Sequence, residues 1–357
     1  MSNTTPGLVC GHHHLYSALA RGMPAPPKQA ANFVEILEQV WWRLDVALDL
    51  DMLYWSAALA ALEALQSGTT AIIDHHESPL AIEGSLSVIA DACAMVGVQV
   101  VATYGVTDRW NDRGQMTHND WTVAPPSMTS GARRGLQECE RFIRAGGRGM
   151  VGLHAAFTCS DETIEQAAGL AVDLGVGVHV HVAEALIDVG AAARLAAYAT
   201  DDWLIVHCVH LDRSLAGTIA HNPRSNMNNA VGYANPASHS NPVVLGTDGI
   251  GADMMEEMRL AYVAQRAADV TASPESAWSW MAEGWRLVPE ALDDRVTWNY
   301  DHMDSPWHVA FTPGIRATDV VAADGRVLLK DGNAVLVDGD EIRAKAAEAA
   351  ARLFVKL

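Results

Sequence analysis

Short apolar runs punctuate this chain, and most of them stop abruptly at polar residues. They occupy residues 8–10, 68–73, 98–104, 149–154, 175–181, 203–207, 216–221 and 243–248. Runs of this length, bounded by glycine or polar residues, predict strands buried on both faces, as in a parallel sheet. Longer stretches with helical periodicity lie between them at residues 82–95, 132–145 and 161–174, the last opened by Ser160 as a cap. Residues 33–66 predict two helices broken near Asp49 to Asp51, with Trp41 and Trp42 as core or lid packing. Strand and helix alternate, and polar residues collect where the strands end. The fold class predicted is therefore α/β, a closed (β/α)8 TIM-like barrel with its loops at one mouth.

Two crossovers are too short for that pattern. His207 and His221 end consecutive strands, and the stretch before the last strand reads Asn235-Pro-Ala-Ser-His-Ser-Asn-Pro242. A parallel crossover ordinarily needs a dozen or more residues, most often helical. The crossovers before strands 7 and 8 are thus expected to be reduced, with the sixth and seventh helices missing or replaced by loops. Beyond Asp253, helices are predicted over residues 254–268 and 275–287. Residues 288–313 look short and irregular, residues 318–332 form two strands joined by Asp324-Gly325, and residues 341–354 form a closing helix. The division expected is a barrel over residues 6–290 and a small β unit with its helix over 314–357.

Composition narrows the partners. With 357 residues, 50% of them hydrophobic and 19% charged, the chain can build a substantial core. A net charge of −19 argues against nucleic acid, which needs a basic footprint, and favours a small neutral or cationic substrate. Five cysteines without CxxC spacing suggest neither a disulfide framework nor a cysteine zinc site, so a cytoplasmic location is expected. No apolar stretch suits a membrane span. A homodimer is compatible with all of this.

The candidate chemistry sits at the strand ends. His12 and His14, two apart on an extended segment, project to one side and can share an ion, while His13 turns to the barrel wall. His181 adds a third imidazole, and Glu184 lies too far along to be an automatic ligand, serving better as a proton shuttle. His179 lies one layer deeper, as a hydrogen-bonded core histidine. If the barrel closes, its last strand brings Asp248 beside His12 and His14. Three histidines and an aspartate suit one divalent metal, zinc or iron(II), with room for a water acidified into a nucleophile.

Six motifs carry a resemblance. They are Pro6-Gly-Leu-Val-Cys-Gly-His-His-His-Leu-Tyr-Ser17, Gly152-Leu-His-Ala-Ala-Phe-Thr158, His179-Val-His-Val-Ala-Glu184, His207-Cys-Val-His-Leu211, His221-Asn-Pro-Arg-Ser-Asn226 and Leu245-Gly-Thr-Asp-Gly249. In that order they resemble the amidohydrolase superfamily, in its guanine deaminase and chlorohydrolase-like branch, closest to the SsnA-type aminohydrolases. The resemblance implies metal binding by His12, His14, His181 and Asp248. It implies Glu184 as the acid/base, His207 as the group that orients water and substrate, and Asp248 as a proton acceptor as well as a ligand. His154 matches a position that contacts substrate; Arg224 would meet a carbonyl or carboxylate, and His76 would support the site or touch substrate. The activity implied is hydrolysis of C–N bonds other than peptide bonds, by deamination of a purine, pterin or pyrimidine-like heterocycle. The alternatives are a chlorohydrolase or cyclic amide hydrolase, and a non-catalytic metal- or ligand-binding relative. The four lysines, Lys28, Lys330, Lys345 and Lys356, all lie off the barrel strands, which favours one metal over a lysine-bridged pair. Against the family pattern, strands before Pro6 and the return to a small domain look absent, so that the small β-domain is expected to be truncated.

Overall fold

The computed structural model describes residues 2–249 and 251–357. After a first short strand, β1 (Thr4–Pro6), come eight that stand side by side in sequence order. They are β2 (Leu8–His13), β3 (Thr69–His76), β4 (Gln99–Val106), β5 (Val151–Ala155), β6 (Val178–Val182), β7 (Leu204–His207), β8 (Thr218–His221) and β9 (Val243–Leu245). Every neighbouring pair is parallel. The circle closes between β9 and β2 through one parallel bridge, His13 to Asp248. The amides of Thr247 and Asp248 both donate to the His12 carbonyl, at 3.0 and 3.1 Å, and the His14 amide donates to the Asp248 carbonyl at 3.3 Å. The barrel predicted from the alternation is the barrel observed.

Side chains alternate along these strands, as the pleat demands. Val9, Ala71, Ile73, Val101, Leu204, Val206, Ala220 and Val244 pack together inside, over a plug made by Val288 and Ala291. Their neighbours Leu8, Cys10, Ile72, Val178, Val180, Ile205, Ile219 and Leu245 face outward, into the layer shared with the helices. The predicted helices appear at Ser85–Val96, Ser130–Arg144, Asp161–Leu174 and Met254–Ala268. Ser160 caps the third of these by accepting from the Thr163 amide. The break near residue 49 is also real: Leu48 is extended, and Asp49 caps Leu50–Gln66 by accepting from Met52 N. Among the described residues no helix is long and apolar enough to cross a membrane.

The shortened crossovers are present, with one refinement. No helix joins β7 to β8, whereas the link from β8 to β9 keeps the short helix Pro223–Asn228, started by a proline in its first turn. The crossover from β6 to β7 is clipped too, to Ala191–Leu195.

The second sheet departs from expectation. Residues 288–313 supply β10 (Arg295–Trp298) and a helix, Pro306–Phe311. Strand β10 pairs with β1 on one side and with β11 (Ala317–Val321) on the other, and β12 (Val327–Lys330) and β13 (Asn333–Ala334) complete five antiparallel strands. Thr4–Pro6 thus provides the small-sheet strand that looked absent. Strands of three and four residues show no period of their own, and they exist here because they pair with each other. Helix Gly339–Lys356 packs through Ala346, Ala349 and Leu353 onto Leu53 and its neighbours.

Closure depends on two glycines. A Cβ at Gly246 would lie 2.4 Å from Asn222 Oδ1 and 2.8 Å from His12 N, and one at Gly11 would lie 2.6 Å from Val244. Gly246→Ala is expected to cost roughly 1–3 kcal/mol through overpacking, lowering the urea midpoint. Gly169→Ala, in open space on the helix Asp161–Leu174, is expected to be neutral or to stabilise by about 0.5–1 kcal/mol. Equal midpoints for the two variants would show that the seam tolerates a side chain.

Candidate functional site

Alternation aims most of the site. With Val244 inward on β9, Gly246 and Asp248 follow on the same face; with His179 inward on β6, His181 follows, and Gly152 and His154 do so on β5. Two positions break the rule. Val9 faces the interior, so strict alternation would send His13 to the mouth, but the register of β2 shifts between Cys10 and His13. A bulge of this kind re-aims side chains. His12 and His14 therefore face the centre, and His13 turns to the wall, where its Nδ1 meets the Asp248 carbonyl and Thr247 Oγ1 (3.1 Å). His207 follows the inward Val206, and a left-handed φ of 69° accompanies its turn into the cavity. Ala183 and Asp248 share that backbone region, at 48° and 58°. Non-glycine residues held there cluster at functional sites.

The imidazoles converge on one point. His14 Nδ1 donates to the His75 carbonyl at 2.5 Å, His181 Nδ1 to the His154 carbonyl at 2.6 Å, and His207 Nδ1 to Asn226 Oδ1 at 2.8 Å. Each bond fixes a tautomer whose Nε2 carries a lone pair. His12 is held from behind by His179, at 2.8 Å. The free nitrogens then crowd together: His14 Nε2 lies 3.3 Å from His181 Nε2 and 2.9 Å from Asp248 Oδ1. His12 Nε2 lies 3.4 Å from Asp248 Oδ1, and His207 Nε2 lies 3.8 Å from Oδ2, which also accepts from Ser225. A proton on His14 would satisfy one of these contacts and still leave His12 Nε2 and His207 Nε2 buried without a partner. A divalent cation satisfies them together. Ligand atoms of His12, His181, His207 and Asp248 all lie within 4.8 Å of one another, as do those of His14, His75 and His181. The donor set fits a metal.

Electrostatics agree with that placement. Burial alone would raise the Asp248 carboxyl, but the facing His12 and His14 outweigh it and hold it well below the usual carboxylate range. Burial would likewise lower His14, and the Asp248 carboxylate lifts it above its ordinary value instead. Glu184, 3.5 Å from His207 Nε2, is raised by burial first and opposed by His207, while Asp248 adds to the rise. Asn229 Nδ2 steadies its other oxygen at 3.2 Å.

A cavity of about 170 Å³ opens over this cluster, lined by His14, His181, Glu184, His207 and Asp248 and walled by Tyr16, Leu37, Trp41 and Phe157. His154 and Arg224 line it. The Arg224 guanidinium lies 3.3 Å from the buried Glu257. His76 does not line it, which corrects the expectation of substrate contact. Counting from the inward Ile73, the pleat sends His75 and Glu77 to the interior and His76 outward, where its Nε2 bonds Ser78 Oγ at 2.7 Å. The same count applied to the sequence would have selected His75.

A buried triad went unseen in the sequence. Arg109, fully buried between the Trp42 and Trp110 rings (4.6 and 5.3 Å), pairs with Asp45 at 3.4 Å and with Glu77. Asp45 and Glu77 both reach the cavity. Burial raises the Asp45 carboxyl to about 6 against the pull of Arg109. Asp45, an acid between Leu44 and Val46, and Glu77, closing the polar stretch 74–77, were the signals of it in the chain.

Residues 3–281 match the Amidohydrolase family. The 5'-deoxyadenosine deaminase of Methanopyrus kandleri is 30% identical over 285 residues, covering 72% of this chain and 60% of that protein. The 5-methylthioadenosine/S-adenosylhomocysteine deaminase of Desulforudis audaxviator is 27% identical over 408 residues, covering 98% and 86%. An adenosine deaminase from Xanthomonas campestris, solved with bound zinc, superposes with a TM-score of 0.78 at 21% identity, over 98% of this chain and 85% of that one. A triazine hydrolase variant superposes equally well, at 0.78 and 21%, over 97% and 87%. The family match spans most of the sequence and the superposed structures share its fold, and the chain belongs to the amidohydrolase family.

Proposed function

We propose that this chain is a zinc-dependent aminohydrolase that removes the exocyclic amine from the six-membered ring of an adenine nucleoside altered at its 5' position. The observation that carries this reading is the placement of Glu184 inside the cavity, beside His207 and within the field of Asp248, next to imidazole nitrogens that need a cation. The names of the relatives supply the ring and the 5' change.

His12, His14, His181 and Asp248 would hold the ion, with His207 close enough to join them or to face the reacting water. When bound, a divalent cation supplies Lewis acidity and brings the pKa of water towards neutrality. The remaining chemistry belongs to the protein's own groups. Glu184, raised by burial, takes a proton from the attacking water and passes it to the adjacent ring nitrogen as the new C–O bond forms. His207, fixed through Asn226, orients that water through Nε2. Asp248 takes the second proton and returns it to the amine, so that the C–N bond breaks with loss of ammonia and the ring keeps a carbonyl. Tyr16, Leu37, Trp41 and Phe157 give the ring an apolar slot, and His154 meets its edge. Asp248 reaches the reaction only because β9 closes on β2.

Purified protein is expected to hold one zinc per chain by elemental analysis and to release ammonia from 5'-deoxyadenosine. Chelation should abolish that release and zinc should restore it. Preferential turnover of a chlorinated ring or a cyclic amide would overturn the reading. Glu184→Gln should lower kcat by about 10²–10⁴-fold with the zinc retained, whereas His181→Ala should lose the zinc itself. Loss of metal in the glutamine variant would reassign Glu184 as a ligand.

A further inference from the structure

A second, larger cavity of about 870 Å³ adjoins the first. The two share Phe33, Ala185, Asn228 and Asn229, so these residues form a neck between an inner chamber over the histidine cluster and an outer chamber towards solvent. Helical residues 33–38 form one wall of the outer chamber, and the loop 119–122 forms another. Their chemistry is one-sided. Glu35, Glu38 and Asp120 line the chamber, and among its described lining residues there is no lysine or arginine. Lys28 reaches Glu35 at 3.5 Å from the outside, 72% exposed. His210 is the one imidazole on the wall, and its Nε2 is engaged by the Val231 carbonyl at 2.8 Å. Glu38 is held in place by the indole N–H of Trp121, at 3.2 Å, so its charge stays at the wall. The rest is uncharged, with Leu186, Ile187 and Val231 apolar and Asn32, Asn119 and Thr122 polar.

We propose that the outer chamber selects the substituent carried by the substrate, and that it accepts uncharged or cationic groups and rejects carboxylates and phosphates. This rests on the adenine-nucleoside reading above and narrows it. A ring seated over the histidine cluster must send any long 5' substituent past Phe33 and Asn228 into the outer chamber, since the inner one is small. There an anion meets Glu38 and Asp120 with no guanidinium or ammonium on the chamber's described lining, while Glu35 is partly offset by Lys28 from outside, in a protein of net charge −19. Arg224 lines the inner chamber and not the outer one, and its guanidinium is paired with Glu257. A thioether or a methyl group meets Leu186, Ile187 and Val231 instead, and an ammonium meets Glu38.

The test compares kcat/KM of the zinc-loaded enzyme for four nucleosides: 5'-deoxyadenosine, 5'-amino-5'-deoxyadenosine, adenosine 5'-carboxylate and adenosine 5'-monophosphate. The two anions are expected to fall at least about ten-fold below 5'-deoxyadenosine, with the amine equal to it or better. The double variant Glu38→Gln, Asp120→Asn keeps an acceptor for the Trp121 indole, and it should raise the anions and lower the amine relative to 5'-deoxyadenosine. Anions turned over as well as 5'-deoxyadenosine, or an order unmoved by the double variant, would overturn this inference and leave the adenine reading standing. Ammonia from none of the four, with zinc bound, would overturn both.

Discussion

The site depends on the seam where the last barrel strand meets the first. Only a bridge and a few amide bonds join β9 to β2, yet they carry Asp248 from one end of the barrel sequence to the imidazoles at the other. Gly11 and Gly246 make room for the contact, since a Cβ on either would strike the facing strand. The closure is short because β9 has only three residues in regular pairing before its backbone turns left-handed at Asp248. That turn is offset locally, because the Asp248 amide finds the His12 carbonyl and Ser225 bonds its carboxylate. The strained turn and the carboxylate facing the imidazoles are therefore held by the same few atoms.

The rest of the mouth follows one physical theme, in which buried polar groups are held from behind and left open in front. His179 backs His12, the His154 carbonyl backs His181, the His75 carbonyl backs His14 and Asn226 backs His207. Each backing bond costs the protein a buried polar pair and returns a fixed tautomer, which is how an outer partner tunes a metal ligand. Across the cavity the same logic governs Arg109. A guanidinium buried without partners would be costly, and here it lies between two indoles and two carboxylates. It neutralises part of the acid wall formed by Asp45 and Glu77 and stiffens the segment that carries Trp41 and Trp42. That segment contains a π-helical turn at Leu37–Trp41, a distortion frequent at functional sites, and it supplies two of the apolar walls.

The clipped crossovers and the small sheet do not disturb this arrangement. Strands β7, β8 and β9 lose helical cover on one side, and Met255, Trp280 and Met281 from the later helices join the same core as Ile219 and Leu245. The five-stranded sheet recruits Thr4–Pro6 just before β2, so the first barrel strand is anchored from outside as well as within. Within that sheet Trp298 of β10 reinforces the hold on β1, through its indole N–H to Thr5 Oγ1 at 2.9 Å.

By itself the sequence determined the barrel, because the apolar runs and the helical periods between them are local properties and each ends in a polar residue that must face water or a ligand. His181, Glu184, His207 and Asp248 were legible for the same reason, as polar strand ends, and the shortened links were legible as plain distance along the chain. Tertiary structure alone decided the rest. The bulge in β2 lets His12 and His14 look inward from a strand whose Val9 already does, and only the closing seam sets them against Asp248. Strands of three and four residues became a sheet only through pairing across nearly the whole chain. Arg109, Asp45 and Glu77 met because three separate elements converge at one mouth, and the outer chamber exists only where the segment at 30–38 lies against the loop at 119–122. Periodicity records which way a residue faces within one element; it carries no information about which other element will stand opposite.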